Sequence, residues 1–171
     1  MKVLAFGASS SNQSINKALA GYTANLIEGA EVTLLDLNDF AMPIFSEDVE
    51  KHSGVPNQAQ AFVNAIAQAD VIVASFAEHN GSYSAAYKNI FDWASRIEKA
   101  VYQDKPMVVL STSPGPGGAS SVLAQTVNSM PYFKGNVVAS LSVPSFYDVM
   151  KDGEIVDASV KQALLGLVAK L

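Results

Sequence analysis

Short apolar runs alternate with longer amphipathic segments along the whole chain. The runs Lys2–Gly7, Glu31–Leu37, Val71–Phe76, Met107–Thr112 and Val137–Val143 predict strands. Val71-Ile72-Val73-Ala74 and Met107-Val108-Val109-Leu110 are continuously apolar, the pattern of strands covered on both faces. Between the runs, apolar residues recur at helical spacing. They are Ile15, Leu19, Tyr22 and Leu26, then Phe62, Val63 and Ile66, and then Val122, Leu123, Val127 and Met130. A last helix carries Val160, Leu164, Leu167, Val168 and Leu171. Strands and helices in strict alternation predict a parallel sheet with helices on both faces, with strand order 2-1-3-4-5. No repeat, low-complexity tract or linker interrupts the pattern, so residues 1–171 are expected to form one domain.

The segment from about Tyr83 to Val101 departs from this regularity. Tyr83, Tyr87, Ile90, Phe91, Trp93, Ala94, Ile97 and Val101 cover more than one helical stripe, and nothing else in the sequence obviously covers the second face. The expectation is a subunit interface, hence a homodimer or homotetramer.

Charge and composition remove several function classes. The formal net charge is −5, Arg96 is the only arginine and the lysines are scattered, so no basic stripe suits nucleic acid or an acidic membrane surface. Cysteine is absent, which excludes disulfides, thiolate nucleophiles and cysteine-ligated metals. No apolar stretch approaches the roughly 20 residues of a membrane helix, and the N-terminal run is too short for a signal peptide. The expected setting is cytoplasmic.

In an open parallel sheet, ligands bind beyond the carboxyl ends of the strands, where the strand order reverses. The loops after the first, third and fourth runs meet there. The first, Phe6-Gly7-Ala8-Ser9-Ser10-Ser11-Asn12-Gln13-Ser14-Ile15-Asn16, is crowded with small hydrogen-bonding groups and has no charge. Ahead of a helix N-terminus, Ser9, Ser11, Ser14 and the Asn16 amide could complete a nest around a phosphate. The alternative is one capping serine among solvated neighbours. The loop lacks the lysine of a Walker motif and two glycines of G-x-G-x-x-G, so it fits neither ATP hydrolysis nor a tightly held dinucleotide. The second loop begins Ala77-Glu78-His79-Asn80-Gly81-Ser82. Asn80-Gly81 is a hairpin signal, but a helical segment follows, so a tight turn is expected instead. The third, Ser113-Pro114-Gly115-Pro116-Gly117-Gly118, lets backbone approach a flat ligand closely, with Ser113 or Gly118 near the cap of the next helix. No serine–histidine–acid set can be placed on one edge, and no catalytic or metal-binding residue is assigned.

Together the three loops resemble the NAD(P)H-dependent FMN reductase family of the flavodoxin-like fold. Its members carry G-S-x-R-x-x-S-x-N, then P-E-Y-N-G-S with L-K-N-x-I-D-W-x-S-R following, then S-P-G-G-x-G-G. Here the matching stretches are Ala8 to Asn16, Ala77 to Ser82, Tyr87-Lys88-Asn89-Ile90-Phe91-Asp92-Trp93-Ala94-Ser95-Arg96, and Ser113 to Gly118. The resemblance implies a flavodoxin-like sandwich with non-covalent FMN. Ser9, Ser11, Ser14, Ile15 and Asn16 would surround its phosphate and Ala77, Glu78, His79 and Asn80 the ring edge. Ser113, Pro114, Gly115, Gly117 and Gly118 would close the ribityl and pyrimidine side. It further implies hydride transfer from NADPH or NADH to the flavin, then onward to a small-molecule acceptor such as a quinone or free flavin, by ping-pong use of one site. The alternatives are a flavin-binding electron carrier or sensor, and a binding subunit without FMN. Ser11 stands in place of the family's arginine, Ala77 in place of proline and His79 in place of tyrosine. With the arginine missing, Lys17 or backbone dipoles would have to hold the phosphate.

Overall fold

The apolar runs form the sheet, and the segments between them form the layers that cover it. The computed structural model describes residues 1–171. In chain order the elements begin β1 (Lys2–Ala8), α1 (Ile15–Asn25), β2 (Glu31–Leu35), α2 (Glu47–Ser53), α3 (Asn57–Gln68) and β3 (Val71–Phe76). Then come β4 (Glu78–His79), β5 (Ser82–Tyr83), α4 (Ala85–Ile97), β6 (Pro106–Thr112), α5 (Ser120–Ser129) and β7 (Asn136–Val143). The chain closes with α6 (Phe146–Val149), β8 (Met150–Lys151), β9 (Glu154–Ile155) and α7 (Ala158–Val168). The main sheet has the order β2-β1-β3-β6-β7 and is parallel throughout. This is the expected 2-1-3-4-5 arrangement, a flavodoxin-like three-layer sandwich.

Alternate residues of each strand feed two cores, because successive side chains point to opposite faces. Leu4, Phe6, Ile72, Ala74 and Val109 pack against Phe62 of α3, Tyr87 of α4 and Val122 of α5. Val3, Ala5, Val73, Val108 and Leu110 pack against Leu19 of α1 and Leu164 of α7. Every residue of β3 is buried, which is why its sequence shows no polar alternation.

Two local expectations are corrected. Asn80-Gly81 closes a true antiparallel hairpin, with Glu78 opposite Tyr83 and His79 opposite Ser82. Both turn residues have positive φ, 52° and 81°, the geometry that this dipeptide favours in two-residue hairpins. The following helix accordingly starts at Ala85, where Ser84 accepts from the Tyr87 N–H as its cap, and it ends at Ile97.

The second face of α4 also proves to be covered largely by the chain itself. Trp93 is fully buried beneath the 42–46 strap: its Nε1 donates to Pro43 O at 2.7 Å, and Phe45 stacks edge-on at 5.0 Å. Asn89 fixes the same strap through Met42 O, Pro43 O and the Phe45 N–H. Further along, Tyr87 and Tyr102 share a buried hydroxyl–hydroxyl hydrogen bond, and burial holds both well above the ordinary tyrosine range. Helix α2 was not foreseen, because none of its residues is buried and it carries no apolar stripe.

The carboxyl edge of the sheet is tied together by one side chain. Asn16, on the first turn of α1, is 3% exposed. Its Oδ1 accepts from Ser75 Oγ at 2.7 Å and from the Thr112 N–H at 3.2 Å, and its Nδ2 donates to Thr112 O at 3.3 Å. Gly7 makes the approach possible, since a Cβ there would sit 2.2 Å from the Lys17 backbone nitrogen. Asn16→Ala leaves the Ser75 hydroxyl and both Thr112 backbone groups unpaired and dry. The expected loss is about 2–4 kcal/mol in urea-induced unfolding; a loss below about 1 kcal/mol would show that the edge does not depend on this amide.

Candidate functional site

Beyond Asn16, the loops after β1, β3 and β6 enclose a cleft of about 240 Å³. Ser9, Ser11, Ser14, Ile15, Asn16, Ala77, Glu78, His79, Ser113 and Pro114 line it, all of them anticipated from sequence. Asn80, Gly115, Gly117 and Gly118 do not. Asn80 sits in the exposed hairpin turn, and Gly115 and Gly117 have open space where a side chain would project. Gly118 lies beneath the third loop with φ +59°, where a Cβ would be 2.3 Å from Ser142 Oγ. Its carbonyl accepts from Ser111 Oγ and Ser142 Oγ, so it anchors the loop to β6 and β7.

The first loop is organised by its serines. Ser14 caps α1, accepting from the Lys17 N–H at 3.1 Å. Ser9 Oγ accepts from the Ser11 N–H, and Ser11 Oγ accepts from the Gln13 N–H. Each of the three hydroxyls is thus used as an acceptor, and its O–H remains available to donate. The backbone N–H groups of Asn12, Ser14, Ile15 and Asn16 find no acceptor within the chain. Hydroxyl donors and helix N-terminal N–H groups are the donor set that could hold an anion without a cation. The Asn16 amide, expected in this nest, is spent on Ser75 and Thr112, which leaves only its backbone N–H for a ligand.

Lys17 does not take the place of the family's arginine. Its Nζ lies 2.6 Å from Asp36 Oδ2, and this contact, with help from Asn38, holds the Asp36 carboxyl below its ordinary value. Arg96 is occupied as well, pairing with Glu50 at 3.0 Å and lying over the Phe45 ring.

The second and third loops are latched together by Glu78. Its Oε2 accepts from the Val122 N–H at 2.9 Å, in the first turn of α5. That helix has no cap of its own: neither Ser113 nor Gly118 serves, and the residue preceding it, Ala119, has left-handed backbone with φ 58°. Glu78 therefore acts as a cap supplied from a distant loop. The third loop is held from behind by α6 and the residue before it, with Ser145 N–H donating to Gly115 O and Phe146 N–H to Ser113 O.

Three lining residues escaped the sequence reading: Gln13, Thr112 and Tyr147. Gln13 and Thr112 adjoin residues that were recognised. Tyr147 gave no signal, because only the docking of α6 behind the third loop brings it to the cleft.

Residues 1–148 match the family model described as NADPH-dependent FMN reductase. A rice protein (Oryza sativa subsp. japonica) named probable NADPH:quinone oxidoreductase 1 is 31% identical over 169 residues, 92% of this chain and 83% of that protein. An Arabidopsis thaliana NADPH:quinone oxidoreductase is 34% identical over 105 residues, 61% of this chain, and this match spans about half of the relative, 52%. Among solved structures, the Paracoccus denitrificans flavoenzyme FerB, an NAD(P)H:(acceptor) oxidoreductase, superposes with a TM-score of 0.76. That match has 26% identity and covers 98% of this chain and 93% of the other. With its sheet order, its three loops and its matched span in agreement, this chain belongs to the NADPH-dependent FMN reductase family of flavodoxin-like oxidoreductases.

Proposed function

We propose that this chain binds FMN non-covalently in the edge cleft and works as an NAD(P)H-dependent reductase of a quinone, flavin or similar small acceptor, one site serving both reactants in turn. The observation that carries this reading is the first loop. Ser9, Ser11 and Ser14 and the residues with free N–H groups, Ser14, Ile15 and Asn16, line the cleft; the first loop carries no carboxylate, and the one that shares the lining, Glu78, is engaged by the Val122 N–H. These hydroxyls and N–H groups suit the phosphate of FMN, and Ile15 supplies apolar contact beside them.

FMN, when bound, supplies the two-electron chemistry, accepting hydride from the nicotinamide and returning reducing equivalents to the acceptor. The protein's part is orientation and electrostatics. Ala77, Glu78 and His79 line the cleft and would border the ring edge, while Asn80 stays in the hairpin turn outside it. On the opposite side Ser113 and Pro114 line the cleft and would close it. The cleft is smaller than the roughly 300–1,000 Å³ of pockets that enclose a drug-sized ligand. A flavin held there would be enclosed only in part, which would leave room for a reactant beside it.

The interface expected on the Tyr83–Val101 segment keeps a narrower basis, since the chain covers Trp93 and Tyr87 itself. What remains for a second copy is the cleft of about 290 Å³ between α4 and α5, lined by Tyr83, Phe91 and Phe133.

The first test is the visible spectrum of the purified protein with FMN, followed by anaerobic NADPH. The expected result is a bound flavin band that bleaches within seconds. Bound flavin that NADPH reduces only over many minutes would indicate an electron carrier, and no binding at all would overturn the reading. A second test addresses the Glu78 latch through FMN affinity. Glu78→Ala removes the cap of α5 and is expected to weaken FMN binding about fivefold, the equivalent of one lost cap. Glu78→Gln keeps an acceptor for the Val122 N–H and is expected to stay within about twofold of wild type. Equal weakening in both would assign the effect to the carboxylate charge instead.

A further inference from the structure

Tyr147 brings the only phenol to the lining of the flavin cleft. It arrives there through the anchoring of α6. Phe146 and Val149, three residues apart, are both buried in the core that holds Leu110 and Leu164, whereas Tyr147 between them is 58% exposed. Behind it, the Ser145 N–H donates to Gly115 O and the Phe146 N–H to Ser113 O, each at 3.0 Å, which ties the turn to the third loop. The Tyr147 ring leans edge-on against Phe146, with centroids 5.5 Å apart. Its carbonyl accepts from Lys151 Nζ, while its hydroxyl bonds to nothing within the chain. A phenol fixed at its base thus keeps an unused O–H donor at the cleft.

Its place along the cleft follows from its neighbours. Gln13, Ser14, Ile15 and Tyr147 also line the adjoining groove beside α1, and Ala77, Glu78 and His79 do not. Tyr147 therefore stands at the end of the cleft made by the N-terminus of α1, away from the ring-edge loop. The serine hydroxyls and free N–H groups lie at that same end. No lysine or arginine lines the cleft, and Lys17 is held by Asp36. The Asp148 carboxylate next to Tyr147 does not line it either. A neutral O–H aimed at a phosphate makes a charge-assisted hydrogen bond without needing a cation.

We infer that the Tyr147 hydroxyl is a further donor to the phosphate of FMN, supplied from a distant part of the chain where the first loop has serine in place of the family's arginine. The inference rests on the flavin reading of the cleft and adds to it a residue outside all three loops. It also makes phosphate affinity depend on the docking of α6, and so on the third loop to which α6 is bonded.

Equilibrium titration of the flavin-free protein with FMN and with riboflavin, wild type against Tyr147→Phe, provides the test and reads binding alone. Tyr147→Phe keeps the ring at an exposed position, so the fold is expected to stand unchanged. The variant is expected to bind FMN about tenfold more weakly, the equivalent of one hydrogen bond to a charged group, and riboflavin within about twofold of wild type. Tyr147→Ala, which lacks the same hydroxyl, is expected to lower the ratio of FMN to riboflavin affinity by the same factor. FMN affinity untouched by Tyr147→Phe, or an equal weakening of both flavins, overturns the assignment and leaves the flavin reading standing. Wild-type protein that binds neither flavin overturns that reading itself.

Discussion

The site depends on one buried amide. Asn16 holds the first turn of α1 against the ends of β3 and β6, using its carbonyl twice and its NH₂ once. The serine loop, the Glu78 hairpin and the glycine-rich loop all leave the sheet within a few residues of that point. Because the amide is satisfied and dry, the three loops start from fixed positions, although most of their residues are exposed. Gly7 is part of the same constraint, since any side chain there would push α1 away from β1.

A second constraint is electrostatic. The side chains best suited to hold a phosphate by charge are already committed: Lys17 to Asp36, and Arg96 to Glu50. What the cleft retains is a set of neutral donors at a helix N-terminus, with the hydroxyls of Ser9, Ser11 and Ser14 oriented by accepting from the backbone N–H groups of Ser11, Gln13 and Lys17. Such an arrangement needs no counterion, and its strength comes from preorganisation and the helix dipole. It also explains how serine can stand at position 11, where the family carries arginine, without loss of the loop's shape: the Ser11 hydroxyl closes the turn to Gln13.

Most of the architecture was legible in the sequence because buried parallel strands are written as uninterrupted apolar runs. Val71–Phe76 was read to the residue, and Met107–Thr112 within one residue of β6 (Pro106–Thr112). The three loops were legible for a different reason, their concentration of serine, glycine and proline at the strand ends. Long-range contacts were not. No local pattern could show that Glu78 caps a helix starting some forty residues later, that Asn16 turns inward, or that Tyr147 reaches the cleft. The cover over Trp93 was missed because the strap supplying it, Met42 to Ser46, has no regular structure and hence no periodicity. The Asn80-Gly81 hairpin was discounted because a helical segment follows it, and strands of two residues leave no alternation to set against that.

The central claim is that a charge-free loop holds the phosphate of the flavin, and a comparison of FMN with riboflavin tests it most directly. Both carry the same ring and ribityl chain, so the ratio of their dissociation constants isolates the phosphate. Two or more hydrogen bonds to a charged group, at roughly 1.5 kcal/mol each, predict that FMN binds about a hundredfold more tightly. Equal affinities for the two would contradict the account, because the serine loop would then contribute nothing to flavin binding.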